Sequence, residues 1–161
     1  MVNEVHDFFK EIASGLKPIA HTRANKAFFG LNQEELKSAV EKSQIRNMVM
    51  KIEPFKSRTT RDGNYLTEPF LIELLLLKKL DRLSDYELEQ NIINETHAVA
   101  RQIIAKIIEH SESGECPTLF NSFNGSGCII EPIQLFSLVG VSLTMTVRNY
   151  ENFEIDSDLW L

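Results

Sequence analysis

The sequence predicts an α+β fold: a mainly antiparallel sheet of about four strands, in two hairpins, packed by one long helix and preceded by two N-terminal helices. Three observations carry this. Residues 83–110 place Ile92, Ile93, Thr96, Val99, Ala100, Ile103, Ile104, Ile107 and Ile108 at three- and four-residue steps, which is one broad helical face. Residues 139–150 alternate strictly, Val141, Leu143, Met145 and Val147 against Ser142, Thr144, Thr146 and Arg148, which is a strand with one buried face. Residues 70–77 are nearly all apolar, as in a strand buried on both sides. A long apolar helical face needs a flat layer to cover, and the strands supply it.

Taken in order, residues 3–16 form the first helix. Val5, Phe8, Phe9, Ile12 and Leu16 share a face, Gly15 marks its end and Pro18 blocks continuation. Residues 19–30 read either as an extended connection or as helix resumed after a kink. The second helix, residues 31–43, is short and weakly amphipathic. Asn32 is its cap, Glu35 completes a capping box, and Leu31 with Leu36 forms a hydrophobic staple. It is expected to cover an edge or end of the sheet.

Residues 47–55 alternate as a strand, with Met48, Met50 and Ile52 to one side and Lys51 and Glu53 to the other; Pro54 marks its end or an edge. A polar excursion follows, KSRTTRDGNY, with Asp62-Gly63 as the turn signal. The apolar strand then returns, giving a hairpin with a long polar tip. The long helix opens on Ser84 as N-cap, Glu87 as its capping-box partner and Leu83 with Leu88 as staple. After it, residues 111–127 are loop-like, with Phe120 and Phe123 pinning them to the core. Residues 128–136 and 139–150 make the second hairpin. No domain boundary or repeat interrupts the chain, so residues 1–161 read as one domain, with the acidic, apolar segment 151–161 a candidate subunit-contacting tail.

Composition is that of an ordinary soluble protein: 43% hydrophobic, 25% charged. A formal charge of -6 argues against a dedicated nucleic-acid binder, which carries a basic face. The N-terminus lacks the apolar core of a signal peptide, and the run PFLIELLLL is too short for a membrane span, so the sequence reads as intracellular, with no membrane partner.

Catalytic and metal signatures are not found. His6, His21, His97 and His110 have no partner at ligand spacing, and Cys116 and Cys128 form no CxxC. Ser126 sits in a Gly-Ser turn before a strand, not in a nucleophile elbow. Glu73 and Glu131 form a nominal carboxylate pair, more simply read as solvent-facing or subunit-contacting acids. The sequence therefore predicts no enzyme, no catalytic residue, no cofactor and no metal. What remains is contact chemistry. Lys56, Arg58 and Arg61, with Tyr65 beside them, form the one local basic cluster. A solvated hairpin end explains it, and so does contact with phosphates or with an acidic neighbour. Trp160 requires cover, on its own core or on another subunit.

The layout also resembles that of the tail-terminator, or tail-completion, and neck proteins of tailed bacteriophages. The resemblance rests on the helix leading through IAHTRANKAFFGLNQEELKSAV, the strand NMVMKIEPF with its excursion around RDGN, the apolar strand FLIELLLLKKLD, the capped helix LSDYELEQNIINETHAVARQIIAKII, and the closing hairpin CIIEPIQLFSLVGVSLTMTVRNY with a glycine early in its second strand. It covers most of the chain; the end ENFEIDSDLWL is not part of it. It implies a non-catalytic virion subunit, assembled in the host cytoplasm. That subunit forms a homo-oligomeric ring, a hexamer above all, that ends the tail tube, contacts tail-tube and neck or connector proteins, and lets DNA pass through a central channel. The alternatives are a non-viral protein-interaction module and a ligand-binding α+β domain.

Overall fold

In the computed structural model, residues 2–62, 65–81, 85–121 and 123–149 are described. The elements in order are α1 (Val2–Gly15), β1 (Phe28–Phe29), α2 (Gln33–Glu41), β2 (Val49–Ile52), β3 (Lys56–Ser57), β4 (Thr60–Asp62), β5 (Tyr65–Lys79), α3 (Tyr86–Ser113), β6 (Ile129–Leu135) and β7 (Leu138–Asn149), with a 3-10 turn at Thr118–Phe120. The sheet runs β1-β2-β5-β7-β6, and β3 and β4 also pair with β5.

The α+β class, the three helices and the two hairpins stand, but the sheet is mixed and has seven strand segments. The parallel pair is β1 with β2, Phe28 against Met50 and Phe29 against Lys51. It arises in the stretch 19–30, which is extended rather than kinked helix. Because α2 lies between β1 and β2, the chain returns in the same direction, as a crossover requires. The polar excursion is likewise no loop: β3 and β4 extend the first hairpin along β5.

The centre of the sheet is the β5–β7 ladder, unbroken from Glu68↔Asn149 to Lys79↔Leu138. Its register puts Ile72, Leu74 and Leu76 on the same face as Val141, Leu143 and Met145, and all are buried. Against this face lies α3, whose Ile92 packs with Val139 and Leu80 at one end. The periodic face read from the sequence is the buried one: Ile92, Thr96, Val99, Ala100, Ile103 and Ile107. Beside α3, α1 contributes Val5, Phe8, Phe9 and Ile12 to the same core. The loop after α3 is held there by Phe120, whose ring lies 5.5 Å from Phe8 and 5.7 Å from Phe9, and by buried Phe123.

Several caps differ from expectation. Asp85, not Ser84, caps α3, its carboxylate accepting from Leu88 N at 3.0 Å; residues 82–84, with Leu83 of the expected staple, lie outside the described residues. An acid one residue further on competes for the same orphan donors. The helix runs past His110 to Gly114, whose left-handed φ of 74° ends it. Asn32 does cap α2, but Glu35 binds Lys26 Nζ at 2.6 Å instead of closing a box, and Leu31 is exposed, so no staple forms.

The second face of the sheet is also largely covered. Lys51, expected toward solvent, is fully buried; its ammonium donates to Glu53 at 2.6 Å, which offsets the cost of burying a charge. Ser142, expected on a wet face, is buried and donates to Glu73 at 2.6 Å.

Gly140 is where the two central strands approach most closely. A Cβ built there would lie 1.8 Å from the Leu76 carbonyl oxygen and 3.1 Å from Leu77 Cα, so only glycine fits. Replacing Gly140 by Ala is expected to cost about 3 kcal/mol or more, as for an overpacked core. In Gly15→Ala a Cβ meets nothing within 4 Å, and stability should hold or rise by up to about 1 kcal/mol. Urea midpoints of the two variants check this; equal midpoints would contradict the close approach.

Candidate functional site

The first hairpin does not end where the sheet ends. Between Ile52↔Leu74 and Lys56↔Leu71 the outer strand has three residues and β5 has two. That is a one-residue bulge, centred on Pro54, which has no N–H to give to a ladder. Beyond it the pairing resumes as Lys56↔Leu71 and Ser57↔Phe70, Arg58 N donates to Pro69 O at 3.2 Å, and the ladder continues through Thr60↔Thr67 to Asp62↔Tyr65. On the other side of β5, β7 stops at Asn149↔Glu68. Residues 60–62 and 65–67 therefore form a two-stranded arm beyond the end of β7.

Strand length explains the arm. The 15 residues of β5, at roughly 3.3 Å each, span on the order of 50 Å. A compact chain of this size has a radius of gyration of about 15 Å, hence a diameter on the order of 40 Å. One end of such a strand has to leave the globule.

The structure brings Lys56, Arg58, Arg61 and Tyr65 together on this arm. All three cations are exposed, and none makes an ion pair among the described residues. The cluster is nonetheless divided. Strand alternation sends Lys56 and Arg58 to one face and Arg61 to the other. Tyr65 is placed by its pairing with Asp62, but its side chain is not described; Trp160 lies wholly outside the described residues.

A second set of contact candidates has no strong signature in the sequence. β6 is the outer strand at the far edge of the sheet, with Pro132 in its middle. Ile129 at its start and Phe136 just past its end are 52% and 42% exposed. Phe136 occupies the two-residue turn to β7 at φ 57°, a conformation that favours Gly or Asn. A bulky apolar residue held there and left in water is a contact candidate, and Phe136-Ser137 carries no glycine or asparagine to announce the turn.

The remaining chemistry is muted. Burial pushes the half-buried thiols of Cys116 and Cys128 up, away from the reactive thiolate form. Glu73 is engaged by Ser142 and Glu131 is exposed on the edge strand. No group of three or more His, Cys, Asp or Glu among the described residues could hold a metal ion. None of the described helices is long and apolar enough to cross a membrane. Between α1 and α3 lies a cavity of about 300 Å³ with Phe8, Ile12, Leu16, Ile103 and His110 in its walls. No protein-family model, curated protein or solved structure matches the chain.

One histidine has a structural task. His21 Nδ1 accepts from the backbone N–H of both Ala27 and Phe28 at 3.1 Å, fixing the approach to β1. This needs an unprotonated Nδ1. Burial, with Lys10 and then Lys26 adding repulsion, holds the His21 pKa below its ordinary 6.5. The unfolded chain then binds the proton first, so this contribution to stability is complete above pH 6.5 and is lost as pH falls below it. Thermal unfolding between pH 8 and 5 should show a fall in Tm that is shallower in His21→Asn. An identical slope in the two proteins would contradict the role.

Proposed function

We propose that the chain is a non-catalytic structural subunit that assembles with copies of itself, at the head-proximal end of a phage tail, into a ring joining the tail tube to the neck. The single observation that supports this best is the projecting two-stranded arm. A lone soluble domain gains nothing from a ribbon with solvated backbone and three uncompensated cations. In a closed ring such a ribbon can cross to the next subunit, and the same heterologous contact repeats around the axis. The acidic balance of the chain fits passage of DNA without adhesion, because phosphates are repelled. The contact residues on this reading are Lys56, Arg58, Arg61 and Tyr65 on the arm, with Ile129 and Phe136 at the opposite edge.

A second reading, a ligand-binding α+β domain, is favoured by the α1–α3 cavity, whose walls are mainly apolar. It predicts a specific thermal shift with a small molecule that the ring reading does not require.

Native mass spectrometry of the purified chain, alone and with tail tubes, tests assembly. Rings of about six 18.4 kDa subunits are expected. Arg58→Glu with Arg61→Glu should reduce ring formation at least tenfold while leaving the unfolding midpoint unchanged, since both side chains are exposed. Full assembly of the charge-reversed protein would remove the arm as a contact. Particles of normal tail length and infectivity made without the chain would remove the phage reading altogether.

A further inference from the structure

The arm has a candidate occupant within the same chain. β7 ends at Asn149 opposite Glu68, at the base of the arm, so residues 150–161 leave the sheet beside it. These residues, which lie outside the described ones, carry Glu151, Glu154, Asp156 and Asp158 and no base. Residues 56–62 carry Lys56, Arg58 and Arg61 against one acid, Asp62. The most acidic segment of the chain thus begins next to its one basic projection.

Two further facts narrow the choice. On the arm, Thr67, Leu66 and Tyr65 pair with β4 on one side, while their β7 side has no strand among the described residues. Carried on past Asn149, the β7 register sets Glu151 opposite Leu66, in the row of Arg61. Reach is no obstacle. Twelve residues extend to roughly 40 Å, and Arg58 and Arg61 lie on the order of 10–15 Å from Asn149 by strand spacing. A tethered segment at such range acts at an effective concentration near millimolar, well above that of a second copy in dilute solution.

We infer that, in the free subunit, the acidic segment 151–158 docks on the basic arm of its own chain. The contact holds the three cations neutralised until a partner displaces the segment. This rests on the reading of the arm as a contact surface, and not on which assembly the arm serves.

Carbodiimide coupling, which joins amines to carboxylates in direct contact, tests it on the full chain carrying Arg58→Lys and Arg61→Lys, so that every arm cation can react. An equal mixture of 14N- and 15N-labelled protein separates links within a chain from links between copies. The Lys26–Glu35 pair, at 2.6 Å, is the internal control. Arm-to-segment links in unmixed isotope pairs are expected, at yields comparable to the control. Links in mixed pairs would overturn the occupant in favour of a second copy, while keeping the arm as a subunit contact. Absence of any arm-to-segment link beside a coupled control would overturn the inference outright. Failure of the ring reading shows separately, in the assembly of the charge-reversed protein.

Discussion

The β5–β7 ladder is the constraint on which the rest depends. β5 is buried on both faces from Leu74 to Leu77, so it has to lie at the centre of the sheet, between β2 and β7. A strand so placed has no free edge there and no solvated face, and α3 and α1 have to share the side that β7 presents with alternate large residues. Each buried Leu on β5 and its partner on β7 contributes on the order of 1.5–3 kcal/mol of burial. Gly140 allows the ladder to close where Leu76 comes nearest. A one-residue slip would send Val141 and Leu143 to the other face and Ser142 under α3, which fixes the register strongly.

The same strand generates the projecting arm. β5 is longer than the layer it runs through, and its apolar content falls toward Tyr65, where Thr67 and Glu68 replace leucines. The half that is apolar on both faces is core; the half that is not emerges as ribbon. The Pro54 bulge marks the transition on the neighbouring strand. Core and contact surface are thus two lengths of one element, and a change in one is felt through the ladder by the other.

Much of this was legible in the sequence. The isoleucine repeat of α3, the alternation of β7 and the apolar run of β5 each carried one dominant signal, and each formed the element it announced. The failures share a cause: short or polar segments whose structure is decided by a distant partner. Phe28-Phe29 becomes a strand because Met50 and Lys51 offer an edge, and nothing within residues 19–30 announces it. Residues 56–62 look like a loop, yet they pair because β5 continues beside them. Lys51 obeys the alternation of its strand, but the face it points to is covered, a matter of tertiary packing alone. The basic cluster was visible by composition; its division between two faces required the register. Phe136 was missed because an exposed, strained turn residue looks like one more strand residue.

Native-state amide hydrogen exchange tests the central claim most directly. If the β5–β7 ladder is the foundation, amides of residues 70–77 and 139–147 exchange last, through global unfolding only, while β1, the arm and the ends of α3 open earlier by local fluctuations. If instead the amides of α3 outlast those of the ladder strands, the helix is the stable core and the sheet its dependent, which contradicts the primacy of the ladder.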